Sequence, residues 1–143
     1  MEPFFQFEWK PLTTPDLETA LKLLEWSRED LLDLLGKLSP EQWAFKGEGE
    51  RWDVAGIVNH IGGAEWWYLD RLGLAFPRAE VPKEPRQRLE KTRSHLLACL
   101  PTLLEKKQVL GVDGELWSPR KVVRRAAWHE RDHCEHIRKV LGL

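Results

Sequence analysis

Apolar residues recur at helical spacing through this chain, and the stretches open on helix-start signals, which together point to an all-α fold. Leu17, Leu21, Leu24, Arg28, Leu31 or Leu32, and Leu35 form one such stripe, since residues three and four apart share a helix face. The helix they predict starts at Thr14-Pro15, a cap followed by a proline suited to a first turn, and runs to about Leu38. A second helix, from about Asp53 to Leu72, carries Val54, Ile57, Ile61, Ala64 and Tyr68 inward. A third runs from about Arg86 to Lys107, and Pro101 should kink or interrupt it. The last opens at Ser118-Pro119 and ends near Gly142. Ser39-Pro-Glu-Gln42 is a capping box for a short turn that carries Trp43 and Phe45. Only Val109 to Trp117, around Asp113-Gly114, has any strand character, as a small hairpin at most. Four helices of similar length predict a four-helix bundle. The segment Gly73 to Pro85, with three prolines, reads as a long crossover, which argues against simple up-down-up-down connectivity.

A chain of 143 residues is one domain's worth, so residues 1–143 are expected to share one core. A net charge of −1 gives no reason to expect nucleic acid or an anionic membrane as partner. No apolar run approaches the roughly 20 residues of a membrane span. The opening MEPFFQFEWKP lacks the basic-then-apolar order of a signal peptide. Two cysteines, Cys99 and Cys134, are too few for a disulfide framework and suit a reducing cytosol, so a cytoplasmic protein is expected. Met1 to Thr13 reads as an extended arm anchored by Phe4, Phe5, Phe7 and Trp9.

The chemistry concentrates in Trp128 to Val140, WHERDHCEHIRKV, which holds three of the five histidines. His129, His133 and His136, spaced by four and then three, fall on one helix face. Val122, Ala126, the histidines or Ile137, and Val140 follow a core-like seam. An unsatisfied imidazole in a core costs about 1 to 3 kcal/mol. Two partners fit: a divalent metal, for which histidines at i and i+4 supply two ligands, or carboxylates on facing helices. His60 lies among Gly56, Gly62 and Gly63, each costing a helix about 0.8 to 1 kcal/mol relative to alanine. The glycines either leave room for His60 to act as a third ligand or let two helices pack closely. Glu130 and Asp132 are candidates for orienting a ligand or water, with Glu130 a weak candidate as general base because it points about 100° from His129. Arg120, Lys121, Arg124 and Arg125 open the last helix, either for an anion or as a solvated face with carboxylate partners.

Two motifs fail on inspection. His129-Glu-Arg-Asp-His133 satisfies HExxH, but His136 and Lys139 occupy the glycine and last histidine of the zincin extension, and no sheet edge is available to hold a peptide. Glu130-x-x-His133 is one copy of the ExxH element of di-iron bundles, and Glu65, followed three later by Tyr68, is not a second.

Asn59-His-Ile-Gly-Gly-Ala-Glu-Trp-Trp67 on the second helix, with His129-x-x-x-His133 on the last, resembles the DinB/YfiT-like family, metal-binding bundles distinct from the polymerase sharing the name. The likeness runs from the first helix to the end of the chain. It implies an up-down-down-up four-helix bundle, often dimeric, with a divalent metal, zinc or nickel, held by His60, His129 and His133. His136 lies where many members carry glutamine, so the resemblance gives it a supporting or substrate-facing role. Characterised members include metal-dependent transferases and isomerases that act through low-molecular-weight thiols. The implied function is therefore a thiol-dependent transferase, or a hydrolase, acting on a small molecule. A non-catalytic metal-binding or stress-response bundle is the alternative.

Overall fold

The structure, a computed structural model, describes residues 3–143, so Met1 and Glu2 of the expected arm lie outside the described residues. Helix α1 spans Thr14–Gly36, α2 is the single turn Pro40–Trp43, α3 spans Val54–Arg71, α4 Pro85–Cys99 and α5 Pro119–Leu141. Each helix starts where a side chain can take one of the first unpaired N–H groups. Thr13 accepts from Asp16, Ser39 from Gln42, Asp53 from Gly56, Glu84 from Gln87, and Ser118 from Lys121. Helix α5 ends on Gly142 in the left-handed conformation, where the absence of a Cβ removes the strain.

Helix α4 stops well before Lys107. Pro101 has no N–H to return to the helix, and the chain tightens into a 3₁₀ turn over Leu100–Leu103 instead of continuing. Strands β1 (Leu110–Val112) and β2 (Glu115–Trp117) form the small antiparallel hairpin. Asp113 and Gly114 both take positive φ, 52° and 80°, as a two-residue turn of the right twist requires.

Side-chain contacts fix the helix directions. Asp16 meets Arg120 and Ser27 meets Glu130, so α1 and α5 run parallel. The Asn59 carbonyl accepts from Arg88 and Glu65 pairs with Arg93, so α3 and α4 are also parallel. Arg93 and Arg86 donate to the carbonyls of Leu24 and Leu35, which sets α4 antiparallel to α1. The order is up-down-down-up. The long crossover between α3 and α4 is held by the Trp66 indole donating to the Phe76 carbonyl at 2.9 Å and by His95 on the Leu74 carbonyl.

Two apolar clusters fill the bundle. One gathers Leu24, Leu69, Leu96, Leu100, Trp117 and Val122 with their neighbours. The other gathers Leu31, Leu35, Ile57, Ile61, Leu89 and Ile137. Between them lies a charged layer with one residue from each long helix: Arg28, Glu65, Arg93 and Glu130. Arg93 reaches Glu65 at 2.6 Å and Glu130 at 3.1 Å, while Arg28 reaches Glu130 at 2.8 Å and Glu65 at 3.3 Å. Two cations and two carboxylates alternate, so each charge has two opposite neighbours. The ring's outer hydrogen-bonding capacity goes to Ser27 and to the carbonyls of Leu24 and Leu89.

The N-terminal arm is anchored differently from the aromatic expectation. Of the four expected anchors Phe5, Phe7 and Trp9 are exposed, while Phe4 is half-buried, with Lys121 Nζ 5.7 Å from its ring centre. Glu8 and Leu12 are the buried residues, with Glu8 bound to Arg124 at 2.5 Å and Leu12 packed in the first cluster. The basic start of α5 therefore has carboxylate partners: Arg120 pairs with Asp16, Arg124 with Glu8 and the fully buried Lys121 with Glu115. Only the solvated half of that reading needs correcting, because Lys121 and Glu8 are both inside.

Candidate metal centre

Helix α5 presents two faces to the protein. Its core seam is Val122, Ala126, Glu130, Cys134 and Ile137. This corrects the sequence reading, in which the histidines themselves occupied that seam. His129, His133 and His136 each lie one residue before Glu130, Cys134 and Ile137, on a half-buried flank that faces α3 and the loop after α2. Glu130 thus belongs to the charged layer, with Ser27, Arg28 and Arg93 on its carboxylate, and Asp132 is exposed to solvent.

Along that flank His60 from α3 meets α5. His60 Nε2 lies 3.0 Å from His129 Nε2, and the rings of His60 and His133 are 4.9 Å apart. One nitrogen from each of His60, His129 and His133 falls within 4.8 Å of the others. A tetrahedral ion with bonds of about 2.0 to 2.1 Å needs ligand nitrogens roughly 3.3 Å apart, and the 3.0 Å pair of His60 and His129 is already near that spacing. Burial, reinforced by the neighbouring rings, pushes His129 down to about 3 and His133 to about 4. Burial, with Arg51 nearby, also lowers His60. All three are therefore neutral at pH 7 and keep the lone pair that a cation needs. The donor set fits a divalent ion of borderline softness, as imidazoles suit zinc, copper, iron and nickel alike.

The glycines divide between the two roles expected of them. A Cβ on Gly62 would sit 2.8 Å from Arg88 Cγ and 3.3 Å from the Leu89 backbone nitrogen, so Gly62 serves the close approach of α3 and α4. A Cβ on Gly56 would strike Trp52 at 2.6 Å, and Trp52 stacks on His60 with ring centres 4.8 Å apart. Gly56 thus makes room for the wall behind His60. Gly63 meets only Arg88, at 3.6 Å, and lines a cleft with Ala64, Trp67, Tyr68, Glu115 and Arg125. This cleft of about 560 Å³ also exposes His60 and His129.

Sequence reasoning did not find Glu50. It reaches His136 Nε2 at 2.9 Å, and His136 Nδ1 in turn lies 3.1 Å from His133 Nδ1. Its loop carries no periodic signal, and the contact depends on how that loop folds onto α5.

The family model of the DinB superfamily matches residues 23–137, a span that includes all three histidines. The chain belongs to the DinB superfamily. As a DinB superfamily member it is similar in fold to a solved structure described as TT2238, a four-helix bundle protein, at 25% identity and a TM-score of 0.68. That likeness covers 86% of this chain and 98% of the other. No curated protein matches the chain.

Proposed function

We propose that this DinB superfamily chain, one helical-bundle domain over residues 1–143, is a metal-dependent enzyme whose His60, His129 and His133 hold a divalent ion, zinc or nickel. In this reading it transfers a group to or from a low-molecular-weight thiol, or hydrolyses a small molecule. The observation that carries it is that the three neutral imidazoles converge beside the cleft, with His60 and His129 in its wall. A purely structural ion would have no use for such an opening. A bound divalent cation supplies one thing here: it lowers the pKa of a thiol or water beside it, giving a nucleophile at neutral pH. The chain's own residues do the rest. Trp67 and Tyr68 give the cleft apolar walls, Arg125 brings positive charge to it, and the hairpin closes one side through Glu115.

The protein is further read as a cytoplasmic homodimer. Cys99 and Cys134 are both free thiols. The occupant of the exposed face would be a second copy, seated on a groove of about 770 Å³ between α1 and α5. Trp26 and Trp128 line it at 59% and 56% exposure, with Leu23 and Phe7 beside them, and buried aromatic area of this kind characterises interfaces.

The test is metal content by mass spectrometry on untagged wild type and on His60→Ala, His129→Ala and His133→Ala, followed by a thiol-dependent turnover screen. Near-stoichiometric metal, lost in each variant, with turnover abolished by chelation, is the expected result. Stoichiometric metal without turnover, and with no solvent-open coordination position, would leave the non-catalytic bundle as the function.

A further inference from the structure

His136 and Glu50 stand outside the three-histidine set, yet they are joined to it in a line. We infer that Glu50 and His136 form a positioning relay that orients His133 and strengthens it as a ligand. This rests on the metal reading above.

The argument is one of proton accounting. His133 turns Nδ1 toward His136 at 3.1 Å, which leaves Nε2 as its free nitrogen for the His60 and His129 side. A ligating nitrogen carries no proton, so the neutral ring must carry its proton on Nδ1. That N–H then donates to Nδ1 of His136, which is left as an acceptor. A neutral His136 with an unprotonated Nδ1 carries its proton on Nε2, and this nitrogen faces Glu50 Oε2 at 2.9 Å. Every donor in the chain meets an acceptor, and it runs in one direction only, from the ligand to the carboxylate. The opposite direction would set an Nε2 lone pair against a carboxylate.

The backbone is shaped to deliver Glu50. Gly49 takes φ of +76°, and a Cβ on Gly47 would meet Val140 of α5 at 3.3 Å and Glu50 Cγ at 3.1 Å. Gly49 thus supplies a backbone conformation that side chains rarely adopt, and the bare Gly47 lets the loop lie against the last turns of α5 without pressing on Val140. Glu50 and His136 are each about 30% exposed or less, so water screens the pair incompletely. A carboxylate drawing on the far proton of such a pair raises the basicity of the ligand nitrogen and fixes its ring plane.

The test is the affinity for Zn²⁺ alone, by competition with a chromophoric chelator, on full-length wild type, Glu50→Gln, His136→Ala, His136→Gln and the double variant Glu50→Gln/His136→Ala. Glu50→Gln and His136→Ala should each weaken binding by about 10- to 100-fold. The double variant should be no weaker than His136→Ala, because Glu50 acts only through His136. His136→Gln, whose amide accepts at one end and donates at the other, should restore most of the affinity. Imidazole ¹⁵N spectra of the zinc protein should show His133 protonated at Nδ1, with that resonance moved in Glu50→Gln, a change that a merely structural contact would not produce. Glu50→Gln binding within twofold of wild type, or losses that multiply in the double variant, would overturn the relay. A wild type that takes up no zinc, or that keeps it in His60→Ala and His129→Ala, would overturn the site itself and the relay with it.

Discussion

Arg93→Met tests the charged layer most directly. Arg93 is 8% exposed at its side chain and touches both Glu65 and Glu130, which are 2% and 1% exposed. Its removal leaves two buried carboxylates to share Arg28 alone, and takes away one donor from the Leu24 carbonyl, which keeps the Ser27 hydroxyl. Breaking a buried ion pair by deleting one partner costs about 3 to 5 kcal/mol, mostly the penalty of an uncompensated charge. An unfolding entropy near 2.1 cal/mol/K per residue gives about 0.3 kcal/mol/K for a chain of 143 residues. The midpoint should therefore fall by about 10 to 17 °C. The assay is guanidinium and thermal unfolding of the metal-free protein followed by far-ultraviolet circular dichroism. Arg93→Met/Glu65→Leu removes one charge of each sign and leaves the 2.8 Å pair of Arg28 and Glu130, so it should be more stable than Arg93→Met alone. A single-variant loss below about 1 kcal/mol, the range of exposed pairs, would refute the reasoning, as would a double variant whose loss is the sum of its parts.

The adjacent glycines predict opposite signs. Gly63→Ala should raise the midpoint by about 3 °C through helix propensity, worth up to about 1 kcal/mol, while Gly62→Ala should lower it because its Cβ meets Leu89 backbone; thermal unfolding of both decides. Zinc occupancy should be lost by the time pH falls to about 4 and 3, where His133 and then His129 take up protons; equilibrium dialysis against pH reads it. The apo protein should lose stability as pH falls below the ordinary histidine value of 6.5, because the unfolded chain takes up protons there that the folded rings refuse. Urea midpoints at pH 7.5, 6 and 5 measure that slope. Trp26→Glu and Trp128→Glu should each shift the protein toward monomer in light scattering.

The helices were legible in the sequence because their signals are local. Ser39, Asp53 and Ser118 cap within three residues of themselves, as does Thr13, one position before the Thr14 that the sequence suggested, and the stripes of α1 and α3 are read from spacing alone. What failed to show depends on partners distant in the chain. Glu8 buries itself against Arg124, 116 positions away, so the arm's visible aromatics were misleading. Arg28, Glu65, Arg93 and Glu130 each fall within their helix's apolar spacing, yet nothing local marks them as one layer. In α5 two sets of residues keep nearly the same 4-and-3 spacing, one position apart, and the histidines drew attention from the seam of Glu130 and Cys134 beside them. That His60 meets His129 and His133 was nonetheless anticipated, from the small residues around His60 and from the family resemblance, although the face given to the α5 histidines was not the one they occupy. Glu50, on a loop, had no such frame.

The adjacency of His129 and Glu130 has a consequence for the whole last helix. Neighbouring residues on a helix diverge by about 100°, so clamping Glu130 between Arg28 and Arg93 sets the azimuth of α5 about its own axis. Any roll of that helix that carried His129 and His133 away from His60 would drag a carboxylate off two guanidinium groups. The histidines are aimed by a charge they never touch, and a substitution in the layer is also a change of aim.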